Sequence, residues 1–297
     1  MPLPPVPDRA RASCRESTAH LRTVGHLDVT FACRGDGRTF LQHQRASYPF
    51  HVCRPHSFPE DPLGMATLYV QSCAGGIYEG DELRMRIVAK DATNVHVTSQ
   101  APTIVHTMRG HRTACHMIEI EAHPHSYVEY MPDPLILFPR ARLRNGLQVR
   151  AARSACVLLA DMFVGHDPYD TGGYFDWLDT VSSIEDEAGV VLVRDRFRAE
   201  GATLALKQPG LNGPYSAQGT LIVFGPARRP LDLVSALREV AEALPGAYAG
   251  ASLLPQDCGV WVRVLASDGM VMRAAIDALW SRARLALTGR RPVPRRK

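Results

Sequence analysis

The chain has 297 residues, 45% hydrophobic and 22% charged, enough apolar material for one large domain or two ordinary ones. Its net charge of +4 comes from the end of the chain: Arg290, Arg291, Arg295, Arg296 and Lys297 belong to a short basic tail, and the rest carries 29 basic against 30 acidic residues. That neutral body excludes the dispersed footprint of a nucleic-acid binder, no apolar run approaches the ~18 residues of a membrane span, and seven scattered cysteines without a CxxC exclude a disulfide framework or zinc-finger spacing.

Residues 1–19 are rich in Pro and Arg and lack the apolar core of a signal peptide, so they are expected to be a disordered extension. From Gly25 the pattern has period two: Leu27, Val29, Phe31 and Cys33 alternate with His26, Asp28, Thr30 and Ala32. Arg34-Gly35-Asp36-Gly37-Arg38 then turns the chain into Thr39-Phe40-Leu41, a hairpin. A Pro-rich loop leads to a run at 67–73. The turn-rich stretch 75–81 follows, and 82–90 alternates cleanly, as do 94–98 and 116–121. Further strands are expected at 155–160, 190–197, 202–207, 220–224 and 259–265, with turn signals at Asn145-Gly146, 187–189, Pro209-Gly210 and Asn212-Gly213.

The stretch 127–142, YVEYMPDPLILFPRAR, departs from the alternation. Tyr127, Val128, Glu129 and Tyr130 read as a strand, and then Pro132, Pro134 and Pro139 each fix φ and remove a backbone donor. Leu135-Ile136-Leu137-Phe138 is too apolar for an exposed loop, so the segment reads as buried, irregular chain crossing a β-structure, with Glu129 and Asp133 nearby. A buried carboxylate needs a partner or a polar channel, and Arg140, Arg142 and Arg144 are the nearest guanidiniums to Glu129 in sequence. Two helices close the chain: one at 231–244 after Pro230, and one over Gly269–Thr288 with Met272, Ile276, Leu279, Ala283 and Leu287 on one face. More than a dozen short strands without a βαβ rhythm make a mostly β chain. The division is an extension at 1–19, one β domain at 20–289 and a basic tail at 290–297.

GxSxG, HExxH, the phosphate-binding glycine loop and the dinucleotide fingerprint are all missing. The segment 106–125 holds His106, His111, His116, His123 and His125, donors that suit borderline metals including nickel. The fivefold spacing of the first three scatters them on strand or helix, whereas His123-Pro-His125 would put two rings on one strand face. Asp81 follows Gly80 in a turn, where it either accepts local N–H bonds or displays a carboxylate on an interior passage. Trp280, with Arg284 four residues on, either anchors a partner or packs on its own chain.

Four stretches, GHLDVTFACRGDGRTFL (25–41), GGIYEGDELRMRI (75–87), VHVTSQAPTIVHTMRG (95–110) and YVEYMPDPLILFPRARL (127–143), resemble in order and spacing the UreD (UreH) family of urease accessory proteins. The closing VWVRVLASDGMVMRAAIDALWSRARLALTG (260–289) resembles that family's last strand and helix. The chain departs from the family at Tyr78-Glu79, where glycine is usual, and at Ile104, where lysine is common. The resemblance implies a non-enzymatic, β-helix-like body of stacked strands that works in the cytoplasm. Its implied partners are the accessory proteins UreF and UreG and the urease subunits, with no role for nucleic acid or membrane. It also implies nickel carried transiently, with no tightly bound cofactor. On this reading Asp81, Glu129, His123 and His125 border a nickel passage and Trp280 and Arg284 face a partner. The residues alone leave two alternatives open: a metal-dependent hydrolase using 106–125, and a β-rich binding module without a metal role.

Overall fold

Val29, Ile87, Ile120, Val149 and Ile184 stand side by side on five adjacent parallel strands, each one turn of the chain further on than the last. The strands are β1 (Val24–Cys33), β5 (Glu82–Ala89), β8 (Ala114–Ala122), β11 (Arg142–Ala151) and β13 (Trp177–Glu185). Between them the chain crosses to a second sheet, laying β4 (Ala66–Ser72), β6 (Asn94–Ser99), β9 (Tyr127–Tyr130) and β12 (Cys156–Gly165) in parallel register. There Ala66, Val95, Val128 and Val157 form one row, and Leu68, Val97, Tyr130 and Leu159 the next. The two inner faces share one apolar core. This is a mostly β, stacked-coil architecture, described by the computed structural model for residues 22–62, 64–225 and 230–293. The expected disordered extension and the last four residues of the basic tail lie outside the described residues.

Antiparallel strands finish both sheets. In the first, β2 (Thr39–Ala46) pairs with β1 and β14 (Val191–Glu200) with β13. In the second, β3 (Phe50–Val52) pairs with β4, and β15 (Ala217–Phe224), β17 (Gly259–Ala266) and β16 (Ala247–Leu253) continue beyond β12. Short strands β7 (Thr103–Val105) and β10 (Leu135–Leu137) run parallel beside β12. The Pro-rich crossing is therefore buried, as expected, but its apolar triplet is a short inner strand. Pro134 and Pro139 stand just outside it, where their missing N–H groups break no ladder.

Helices α2 (Pro230–Glu242) and α3 (Gly269–Thr288) cover the outer face of the second sheet with a separate apolar layer. The bounds of α3 follow from its caps. Asp268 accepts the N–H groups of Met270 and Val271 at 2.8 and 2.9 Å, and Gly289 ends the helix in the left-handed region at φ 73°. No helix among the described residues is long and apolar enough to cross a membrane.

Two local expectations are corrected. The strand expected at 202–207 is instead the short helix α1 (Gly201–Ala205) and the turn after it. Gly201 opens that helix against the backbone of Phe175, so closely that a Cβ would lie 2.2 Å from its carbonyl oxygen. Asn145-Gly146, expected as a turn, lies within the ten-residue strand β11. The Met117 side chain lies across the space beside the glycine, with its flexible end, Cε, 2.3 Å from where a Cβ would stand.

Candidate functional site

The stacked register makes a ladder on the outer face of the second sheet from Thr67, His96, Glu129 and Leu158. Three of its four members are polar, yet α3 lies over it. Glu129 is fully buried. Its partner is not one of the nearby arginines but Arg284 of α3, itself 1% exposed. Arg284 Nε donates to Glu129 Oε1 at 2.8 Å, Nη2 donates to Oε2, and Nη1 donates to the Asp61 carboxylate. Tyr127 Oη donates to Glu129 Oε1 at 2.6 Å, and His96 Nδ1 lies 2.7 Å from Oε2. Trp280 completes the layer, stacked on His96 with centroids 5.1 Å apart, with the Arg284 guanidinium 4.8 Å from its own centroid.

The electrostatics follow the contacts. Burial alone would raise the Glu129 pKa, but the hydrogen bonds and charge of Arg284, then those of His96, outweigh it and hold the carboxyl well below its usual range. Burial, and then the Glu129 charge, push the Tyr127 phenol well above its ordinary value and the Cys156 thiol up to about 12. A second arginine of α3 repeats the arrangement about three turns earlier: Arg273 pairs with the buried Asp133 and with Asp277. The two carboxylates of the Pro-rich segment thus hold α3 at two points.

The remaining predicted residues fall apart in space. Asp81 is 4% exposed and serves its own turn, Oδ1 accepting Thr23 N–H at 3.0 Å and Oδ2 accepting Tyr78 N–H at 2.9 Å. His123 and His125 share no strand face. They sit on the exposed corner between β8 and β9, where His123 N–H bonds Ala89 O of the preceding coil and His125 has φ 60°. His123 Nδ1 lies 3.5 Å from Asp91. Trp280 and Arg284, expected to face a partner, are buried within the chain, 4% and 1% exposed, against the ladder they cover. The histidines of 106–125 do not converge either: His106 stacks on Tyr78 at 4.3 Å and His116 points between the sheets. Among the described residues no three His, Cys, Asp or Glu side chains are grouped to hold a metal ion.

A cavity of about 230 Å³ lies between the sheets, and none of the four residues expected to border an interior passage lines it. His116, Asn145 and Thr180 form one row across β8, β11 and β13 of the first sheet. Asp161 of β12 faces them: Thr180 Oγ1 donates to its Oδ2 at 2.8 Å, and Asn145 Nδ2 lies 3.5 Å from its Oδ1. Tyr130, Ser99 and Asp133 extend the polar wall. Burial lowers the pKa of His116, against its bond to Asn145, and burial raises that of Asp161, against Thr180 and Arg263. Both side chains keep some accessible surface, and it belongs to the cavity they line. The signal in sequence was a polar residue at the same alternation phase in three successive coils, visible only once the coil length is known.

Residues 23–297 match the sequence profile of the family described as UreD urease accessory protein. The chain is 34% identical over 285 residues to urease accessory protein UreD 1 of Pseudomonas syringae pv. syringae strain B728a, covering 96% of this chain and 100% of that one. It is 35% identical to urease accessory protein UreD 1 of Methylorubrum extorquens strain PA1, over 100% of this chain and 94% of that protein. It is 30% identical to urease accessory protein UreD of Natronomonas pharaonis, over 96% of each.

Proposed function

Since the chain belongs to the UreD urease accessory protein family, we propose that it matures urease as a non-catalytic scaffold. It joins apo-urease to the accessory proteins UreF and UreG in the cytoplasm and helps pass nickel to the urease active site. Family membership supports the role in maturation. The bridging and the nickel transfer are supported by the interior: a rigid double-sheet body encloses a cavity whose wall carries Asp133, Asp161 and His116. Oxygen donors and a single imidazole suit an ion that must be handed on, because a full thiolate or imidazole cage would retain it. Nickel is cargo on this reading.

The test is co-expression of urease subunits and the accessory proteins with and without this chain, followed by nickel-dependent urease activity and capture on tagged UreF. Loss of activation without the chain, together with its recovery in a complex of defined mass, is the expected result. Full activation in its absence overturns the reading.

A further inference from the structure

Strand β2 ends the first sheet and is paired on one side only, with β1. Its two ends show which way its backbone faces. Thr39 N–H points away from β1, to Gly64 O at 2.8 Å, and Ser47 N–H, just past the strand, points back to His26 O of β1 at 2.8 Å. Alternation from both ends, with the irregularity opposite Thr30 and Phe31 absorbing one residue, turns the N–H and C=O groups of Leu41, Gln44 and Ala46 outward. Among the described residues none of the three has a backbone partner on that side. Residues 42–46 are all exposed.

This edge is one wall of a groove of about 600 Å³, and residues 54–57, in the loop after β3, form the other. Buried Met65 and Ala66 give it an apolar floor. Its rim is cationic: Arg34 and Arg54 line it with the imidazoles of His43 and His56, and no carboxylate does. The Arg34 guanidinium is held 5.0 Å from the Phe40 ring centroid. Among the described residues neither arginine has an ion pair, and Asp36 of the same hairpin lies 3.8 Å from Arg38 instead. The groove shares no lining residue with the inter-sheet cavity.

An open strand edge is a template for another strand, and the charge beside it selects which one. A second copy of the chain would bring the same arginines against these. The chain's own ends are disfavoured on the same ground: residues 1–19 hold Arg9, Arg11 and Arg15 against Asp8 and Glu16, and residues 290–297 hold no acid. We infer that β2 accepts an acidic, extended peptide segment of a partner protein, which pairs its backbone with Leu41, Gln44 and Ala46 and sets its carboxylates against Arg34 and Arg54. Alternate side chains of that strand fall toward Met65 and Ala66, so the fitting sequence alternates acidic with small apolar residues. The surface is separate from the inter-sheet cavity, and its occupancy does not depend on the maturation reading.

The experiment uses the isolated full-length chain and a fluorescein-labelled peptide of alternating glutamate and valine, read by anisotropy and by amide hydrogen exchange. The same peptide with lysine in place of glutamate is the control. The acidic peptide should bind, more weakly as salt rises, and slow exchange at Leu41, Gln44 and Ala46, while the lysine peptide does neither. Affinity should fall about tenfold or more in Arg34→Glu/Arg54→Glu, which reverses the rim charge. It should fall similarly in Gln44→Pro, which removes one outward donor and leaves the ladder to β1 whole. Equal binding of the lysine peptide, or slowed exchange of the wild type only outside β2, overturns the proposal without needing any variant to fold. Displacement of the peptide by inorganic phosphate, with no slowing in β2, would leave a simple anion site and overturn strand addition as well.

Discussion

Arg284 meets Glu129 from 155 positions further along the chain, its Nε donating to the carboxylate at 2.8 Å in a space closed to solvent. The pair joins α3 to the middle of the parallel stack. Replacing Arg284 by Met leaves Glu129 and Asp61 buried without their cation, a loss on the order of 3–5 kcal/mol. The combined variant Arg284→Met/Glu129→Leu removes the central pair, leaves only Asp61 without its cation, and should recover part of that loss. Urea unfolding of the two variants and wild type measures the difference, and equal destabilisation by both would show that the ions are not coupled.

The same pair sets a dependence on acid. The Glu129 pKa is depressed in the folded chain, so its contribution to stability is complete above the unfolded value near 4.5 and is lost as pH falls below it. Wild type should lose stability steeply between pH 5 and about 2, while Glu129→Gln shows a flatter curve over that window. Thermal melts across the range check this. Parallel curves would move the acid sensitivity to other carboxylates.

Two glycines predict unequal costs. At Gly146 a Cβ meets the far end of Met117, which can swing away, so Gly146→Ala should cost about 1 kcal/mol or less. At Gly201 a Cβ meets the Phe175 carbonyl oxygen at 2.2 Å, and backbone must move. Gly201→Ala should cost roughly 3 kcal/mol. Denaturant midpoints of the two variants rank them, and the reverse order would contradict the packing.

Asp81 offers a test of turn against passage. Asp81→Ala removes the acceptor of two backbone N–H groups, Thr23 and Tyr78, and should cost on the order of 2 kcal/mol. Asp81→Asn keeps one acceptor oxygen and should lose about half as much. If the residue only shapes the turn, urease activation by each variant tracks its melting temperature and does not respond to added nickel. Rescue by excess nickel would instead return Asp81 to the passage.

Where local chemistry decides a structure, the sequence was readable. The hairpin of β1 and β2, the alternation of β5 and both ends of α3 follow from side-chain period, turn residues and caps. Where a distant coil decides, it was not. Asn145-Gly146 carries the usual hairpin dipeptide, yet Met117 and His116 on the next strand fix it inside a strand. Thr180 and Ser182 hide the inward face of β13, because polar residues at core positions erase the period-two signal. Glu129 could be recognised as needing a cation, but proximity in sequence pointed to Arg140, Arg142 and Arg144, whereas the fold supplies Arg284. Three-dimensional stacking sets these choices, and a linear scan does not contain the coil length that indexes it.

The long reach of Arg284 also orders events on the ribosome. The nascent chain emerges with Thr67, His96 and Glu129 long before the helix that covers them and pairs Glu129 with Arg284, so this face of the sheet stays hydrated until synthesis is almost finished. Contacts so distant in sequence close slowly. A stop codon or proteolytic cut ahead of α3 would therefore release a body with an acidic, unsealed flank, a form that quality-control machinery can tell apart from the finished protein.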